Sequence, residues 1–114
     1  MNTKGQQLMM DLWMDKDIHP LVPQICELIE KRFTVLLPTN FKFTPQGETI
    51  VFILSESHFA LHTYPEHNYL TLDIYVCNMA IDLESVKEEI INICQPTKVH
   101  AKRLIRGHGT GIHE

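Results

Sequence analysis

The pattern of hydrophobic and polar residues predicts a chain made of several strands and two helices. Successive side chains of a strand point to opposite faces, whereas side chains on a helix recur about every 3.6 residues. Hydrophobic residues follow helical spacing in two segments, 20–32 and 82–94. Pro20 and Pro23 suit the first turn of the first helix, where a missing backbone N–H does no harm. Asp82 can cap the start of the second helix.

The remaining segments are extended and are separated by turn-like residues. Strands are predicted over 7–14, 34–37, 41–44, 49–55, 58–64, 69–77 and 97–105, with turns at 38–40, 45–47 and 65–68. The segments 34–37 and 41–44 count as one interrupted strand region, so the element order is β-α-β-β-β-β-α-β. The C-terminal tail, 106–114, is expected to be mobile.

This element order predicts the fold class. Two helices can cover only one face of such a sheet, so we expect an α+β fold. It would be a two-layer sandwich, an antiparallel β-sheet with both helices on one face. The other face then meets either solvent or a second copy of the chain.

The predicted hairpin of 58–64 and 69–77 gathers polar side chains on one face of the sheet. The alternating hydrophobic residues of both strands must lie on the same face, because only one face of a half-buried sheet is covered. The opposite face then carries His58, His62, Asp73, Tyr75 and Cys77.

The four-residue loop 65–68 predicts the register of this hairpin. Counting back from a Tyr64–Tyr69 pair sets three further pairs opposite each other: His62 with Thr71, His58 with Tyr75, and Glu56 with Cys77. Directly opposed Cβ atoms lie about 4.5–5.5 Å apart. We therefore expect a thiol and two imidazoles along the Glu56–Ser57 stretch. Ser57 has the parity of the buried face, so a bulge or tight bend is expected there.

Composition narrows the class of protein. The chain has 114 residues, which favours a single domain over 1–114, and its net charge of −4 gives no sign of a nucleic-acid partner. No segment has the pattern of a secretory signal or the length of a membrane span. The three cysteines, Cys26, Cys77 and Cys94, are widely spaced without a Cys-x-x-Cys motif, which suits a reducing cytoplasm.

Several of these residues also have ordinary interpretations. A cysteine such as Cys77 is often a small hydrophobic residue of the core. His58 and His62 could bind a metal, but no third ligand is well placed, and no metal site is predicted. A hydrolase triad of Ser57, His62 and Asp73 would lack the Gly-x-Ser-x-Gly turn that exposes such a serine.

The stretch 43–77, FTPQGETIVFILSESHFALHTYPEHNYLTLDIYVC, resembles the short bacterial and archaeal S-adenosylmethionine decarboxylase proenzymes. The matching parts are F-T-P-Q-G, S-E-S-H, H-T-Y-P-E and L-D-I-Y-V-C, in this order. Their spacing matches too, with five residues from Ser57 to His62 and twenty from Ser57 to Cys77. Weaker similarity extends from K-G-Q-Q-L-M-M-D-L near the start to the I-R-G near the end.

The resemblance implies a chain that cuts itself between Glu56 and Ser57. Residues 1–56 would become a β chain, and residues 57–114 would become an α chain that begins with a pyruvoyl group made from Ser57. His62 matches the histidine that assists this cleavage. Thr49 stands where a serine usually assists, and threonine keeps the hydroxyl.

The resemblance also implies conversion of S-adenosylmethionine to its decarboxylated form plus CO2, for spermidine biosynthesis. Cys77 matches the acid that returns a proton to the substrate. Phe43 matches an aromatic residue that stacks on the adenine, Glu66 an acidic residue that holds the ribose, and Asp11 an acidic position at the active site. Short members are dimers of αβ units whose sheets stack face to face (αββα).

Some positions depart from the family pattern, which leaves other functions open. Gln6–Gln7 and Met14–Asp15 replace a histidine and a cysteine in the first strand, and Ile50, Phe52 and Leu54 are bulkier than usual. A pyruvoyl-dependent decarboxylase of ornithine or arginine is one alternative, because both substrates share the amino-acid head. A non-enzymatic dimeric binding module is the other, and the intact set of Ser57, His62 and Cys77 argues against it.

Overall fold

The computed structural model describes residues 4–42 and 46–107. Six strands and two helices lie within these residues: β1 (Gly5–Trp13), α1 (Leu21–Arg32), β2 (Val35–Lys42), β3 (Glu48–Leu54), β4 (Ser57–Tyr64), β5 (Tyr69–Val76), α2 (Leu83–Cys94) and β6 (Lys98–Arg106). A single 3₁₀ turn, Pro65–His67, joins β4 to β5. The element order is the one that the hydrophobic pattern predicts.

All six strands form one antiparallel sheet in the order β2-β3-β4-β5-β1-β6. Alternate residues of the strands form one buried cluster with the apolar stripes of both helices. The two helices therefore cover one face of the sheet, which confirms the α+β sandwich. We call the opposite face, which carries His58, Ala60, His62 and Tyr64 of β4, the open face.

The register of the β4–β5 hairpin is the predicted one. Tyr64 lies opposite Tyr69, and the pairs His62–Thr71 and His58–Tyr75 follow. The predicted tight bend precedes Ser57, since a turn formed by Ser55 and Glu56 joins β3 to β4 and sets Leu54 opposite Ser57.

The prediction of a turn at 38–40 is wrong. Pro38, Thr39 and Asn40 are part of β2 and pair with residues of β3. A proline is tolerated there because β2 lies at the edge of the sheet, where one side of its backbone needs no strand partner. The register shifts between Val35 and Leu37, which is the irregularity of this strand.

Some sequence predictions fall wholly or partly on residues whose structure is not described, including the strand 41–44 and the turn 45–47. Phe43 lies between the two described ranges, and most of the predicted mobile tail lies beyond residue 107. Within the described ranges, neither helix has the length and apolar character needed to cross a bilayer.

Candidate active site

The turn between β3 and β4 carries the bond that the sequence marks for cleavage. Glu56 has a φ of 58°, the left-handed conformation that residues other than glycine rarely adopt. Such a conformation costs about 1–3 kcal/mol and persists only when the surrounding structure holds it. The strained residue therefore directly precedes the Glu56–Ser57 bond.

Cys77 contacts both residues of that bond. Its backbone N–H donates to Ser57 Oγ at 3.3 Å. Its thiol donates to the carbonyl oxygen of Glu56 at 2.8 Å. The predicted opposition of Glu56 and Cys77 is thus confirmed, and Cys77 is exposed rather than part of the core.

Ser57 lies where two cavities meet. One cavity, of about 460 Å³, lies on the helix side and is lined by Arg32, Phe33 and Ile81 in addition to Glu56 and Ser57. The other, of about 530 Å³, lies on the open face. A small molecule can therefore approach Ser57 from either side of the sheet.

The cavity on the open face has an aromatic floor. His58 stacks on Tyr75 with ring centroids 5.8 Å apart, and the Arg106 guanidinium lies 5.4 Å from the centre of the Tyr75 ring. A Cβ atom at Gly5 would lie 2.5 Å from the Tyr75 hydroxyl, so glycine is needed for the ring to lie there. Local pattern alone missed Gly5 and Arg106, because they come from β1 and β6 and meet β5 only in the folded sheet.

A second group of predicted residues lies at the other end of β4. Thr49 lies opposite His62, and its Oγ1 is 3.0 Å from His62 Nδ1. Both line a cavity of about 430 Å³ that also contains Glu66, in the 3₁₀ turn after β4. The structure therefore brings Thr49, His62 and Glu66 together.

The two groups are far apart within one chain. Ser57 and His62 are five residues apart on the same strand, and a strand rises about 3.3 Å per residue, which separates them by about 16 Å. They line different cavities. Strand parity correctly predicted His62 on the open face, but the expectation that its imidazole lies along the Glu56–Ser57 bond is not met within a single chain.

Asp11 lies closer to the His62 group. It pairs with Thr71, the residue opposite His62, and its Oδ1 accepts hydrogen bonds from Thr71 Oγ1 at 2.8 Å and from the Tyr69 hydroxyl at 3.0 Å. Burial, with the Asp11 carboxylate as a further cause, raises the pKa of Tyr69, so its hydroxyl remains a donor. A row of polar side chains thus crosses the open face: Thr49, His62, Thr71, Asp11 and His100.

Metal ligation has no support in the described part of the chain. Within 4–42 and 46–107, no three His, Cys, Asp or Glu side chains are grouped so as to hold an ion. The arrangement around Ser57 instead consists of a hydroxyl, a thiol, a backbone donor and a strained carbonyl, which are groups suited to acyl transfer.

Comparison with known proteins places the chain among decarboxylase proenzymes. A family model described as S-adenosylmethionine decarboxylase matches residues 9–107. The S-adenosylmethionine decarboxylase proenzyme 2 of Bacillus cereus is 35% identical over 95% of this chain and 93% of that protein. The proenzyme of Methanococcus vannielii is 32% identical over 94% of this chain and 93% of its own length.

Two solved structures share the fold. The adenosylmethionine decarboxylase of Aquifex aeolicus is 24% identical, with a TM-score of 0.68 over 100% of this chain and 98% of that one. The AdoMetDC-delta26 monomer of Trypanosoma brucei is 13% identical, with a TM-score of 0.63 over 84% of this chain but only 44% of that longer chain.

Proposed function

This chain belongs to the S-adenosylmethionine decarboxylase family, and on that premise we propose that it cuts itself between Glu56 and Ser57 and then decarboxylates S-adenosylmethionine. The observation that carries the proposal is the contact of Cys77 with both Ser57 Oγ and the Glu56 carbonyl. The product, decarboxylated S-adenosylmethionine, would supply spermidine biosynthesis. Neither the family model nor the relatives above support ornithine or arginine as the substrate.

Self-cleavage uses groups that are already in contact. Ser57 Oγ attacks the Glu56 carbonyl carbon, and the C–N bond breaks to leave an ester. The Ser57 Cα–H proton is then removed, and the Ser57 Cβ–Oγ bond breaks to release residues 1–56, which keep Oγ in a new carboxylate. Water replaces the Ser57 nitrogen, which leaves as ammonia, so residues 57–114 begin with a pyruvoyl group. The Cys77 thiol donates to the oxygen that gains negative charge in the first step.

The surroundings of Ser57 suit a pyruvoyl group. Cavity space adjoins Ser57 on both faces of the sheet, and Cys77 lies beside it. A pyruvoyl group made from Ser57 would supply an electron-poor carbonyl to bind the substrate amine and to withdraw electrons as CO2 leaves. Cys77 Sγ holds the proton that returns to the substrate Cα, and such acid catalysis contributes typically about 10²–10⁴-fold.

The separation of the two residue groups calls for a homodimer. His62 is about 16 Å from Ser57 along β4, too far for direct proton transfer. Two sheets that pack face to face lie about 10 Å apart. If two open faces stack about a two-fold axis near the middle of β4, His62 of each copy lies over Ser57 of the other. The exposed Leu37 and Ile53 on this face would then be buried.

The stacked dimer and the family resemblance together imply roles for the remaining predicted residues. Glu66 shares the cavity of His62, so it would reach across to hold the substrate ribose. Phe43 would stack on the adenine, and Asp11 would favour the cationic substrate. The three free thiols in the described residues, Cys26, Cys77 and Cys94, are compatible with a cytoplasmic enzyme.

Mass spectrometry of the denatured protein tests the cleavage. We expect two chains, residues 1–56 and residues 57–114, with the second blocked at its N-terminus, and a single intact chain for Ser57→Ala. Release of CO2 from carboxyl-labelled S-adenosylmethionine, ornithine and arginine then tests the substrate. An intact wild-type chain, or CO2 from ornithine or arginine alone, would contradict the proposal.

A further inference from the structure

Gln6, near the start of β1, is a buried polar side chain with every amide position engaged. Its side chain is only 3% exposed. Its Nε2 donates to the carbonyl oxygens of Asn78 at 3.2 Å and Ile81 at 2.7 Å. Its Oε1 accepts from Arg103 Nη1 at 3.0 Å. An amide nitrogen has two N–H donors, so both are used.

Both carbonyls belong to the segment 77–82, which connects β5 to α2 and begins with Cys77. Internal bonds shape this segment, since the N–H groups of Ile81 and Ala80 both donate to Asn78. Asp82 then caps α2 through Ser85 N–H. Gln6 is the side chain that ties the middle of this segment to β1.

The Cys77 side chain is exposed, so burial of that side chain does not fix its position, and the conformation of the segment that follows it matters more. Cys77 is nevertheless the residue that touches Ser57 Oγ and the Glu56 carbonyl. A donor stabilises a developing oxyanion only within about 2.7–3.1 Å, so a small shift of the segment removes the effect.

We propose that Gln6 is a positioning residue for self-cleavage, holding the segment 77–82 so that Cys77 N–H and thiol lie against the two reacting groups. The inference rests on the proposed self-cleavage and adds the residue that aligns it. Gln6 touches neither reacting atom. Its role is to present Cys77.

The first measurement is the rate of self-cleavage of the full chain made by cell-free synthesis. Gln6→Met keeps the approximate volume and removes the amide. Ile25→Val, fully buried in α1, is the control for a general loss of stability. Loss of an oxyanion donor slows acyl transfer by about 10²–10³-fold. Gln6→Met displaces the donor rather than removing it, so we expect cleavage to slow about tenfold. Ile25→Val should cleave near the wild-type rate.

The second measurement reports the position of Cys77 without any cleavage. In a Ser57→Ala background, alkylation of Cys77 is compared with alkylation of Cys26 in the same molecule. Burial raises the pKa of Cys26 to about 11, so Cys26 reacts slowly and serves as an internal reference. We expect Gln6→Met to change the Cys77/Cys26 ratio several-fold and Ile25→Val to leave it unchanged.

Arg103→Met provides a second variant if Gln6→Met does not fold. It removes the donor to Oε1 but leaves both bonds to the segment. We therefore expect smaller changes in the same direction, about two- to threefold, for the loss of one partly buried hydrogen bond. Unchanged cleavage and an unchanged alkylation ratio in these variants would overturn the inference. A wild-type chain that never cleaves would instead overturn the proposed function, while the alkylation ratio would still test the placement of Cys77.

Discussion

At one end of β4, Ser57 lies in a turn with a strained residue before it and touches Cys77. At the other end, His62 forms an ordinary cross-strand pair with Thr49, beside Glu66. The first group contains the bond proposed to break and the proposed acid, but among the described residues no base contacts Ser57 Oγ. The second contains an imidazole and a hydroxyl but not the bond that is proposed to break. Each end is therefore chemically incomplete on its own, and the proposed dimer would bring the two ends together.

The largest expected effect comes from placing the Ser57 and His62 substitutions in different chains. Ser57→Ala and His62→Ala should each abolish cleavage when expressed alone. Expressed together, they should form mixed dimers in which Ser57 of one copy meets His62 of the other. Random pairing of a symmetric dimer gives about half mixed dimers, so about half of the His62→Ala chains should be cleaved.

Mass spectrometry distinguishes the two chains in that mixture, because only the His62→Ala chain can yield residues 57–114. Co-expression of Ser57→Ala with a second Ser57→Ala chain serves as the control and should give no cleavage. If the mixed pool stays uncleaved while wild type cleaves, His62 acts within its own chain or not at all. That result would contradict the proposal that His62 of one copy acts on Ser57 of the other.

Cys77 should have the next largest effect, and it should act in its own chain. Cys77→Ala removes the acid, so we expect decarboxylation by the cleaved fraction to fall by about 10²–10⁴-fold. Cys77→Ser keeps a donor to the Glu56 carbonyl and should cleave faster than Cys77→Ala. Steady-state release of CO2 per mole of cleaved chain measures the first effect. A co-expressed Ser57→Ala chain carries an intact Cys77 but no Ser57. If it restored the activity of Cys77→Ala, Cys77 would act on the other copy, which would contradict its assignment to its own chain.

A bulky residue at the middle of β4 tests the stacking itself. Ala60 is the smallest side chain that β4 places on the open face and lies midway between Ser57 and His62. Ala60→Phe should hold two stacked sheets apart, since well-packed interfaces resist added volume. We expect most of the protein to be monomeric in solution and cleavage to slow about tenfold, because only the remaining dimers supply the general base of the other copy.

Glu27→Phe, an exposed position on α1 on the far side of the sheet, is the matched control. It adds the same ring to the surface without touching the open face. A dimer that persists in Ala60→Phe and cleaves at the wild-type rate would show that the open faces are not the interface.

The two ends of β4 also differ in how well the sequence predicts them. Loop length and strand parity determined the hairpin register, so the contact of Cys77 with Glu56 was predictable. The same parity set His62 on the right face but said nothing about distance along the strand. Gly5, Arg106 and Gln6 were missed because the pairing of β1 with β5 and β6 joins distant parts of the chain.

The edge strand β2 shows a different limit. Pro38-Thr39-Asn40 has the composition of a turn, yet it continues the strand. Propensity reflects the local chain, whereas an edge position tolerates residues that a central strand would reject. Which strand lies at the edge depends on the whole sheet order and cannot be read from three residues.

The smallest expected effect concerns the hydroxyl that accompanies His62. Thr49 Oγ1 lies 3.0 Å from His62 Nδ1, which orients the imidazole. Thr49→Val keeps the branched shape and removes this bond, worth about 0.5–1.5 kcal/mol, so we expect cleavage to slow about two- to tenfold. Thr49→Ser keeps the hydroxyl and should cleave at nearly the wild-type rate. Since the effect acts through His62, adding Thr49→Val to the His62→Ala chain should leave the cleavage of that chain in mixed dimers with Ser57→Ala unchanged. An equal loss in Thr49→Ser, or a loss that adds to that of His62→Ala in mixed dimers, would mean that Thr49 serves packing between β3 and β4 rather than the imidazole.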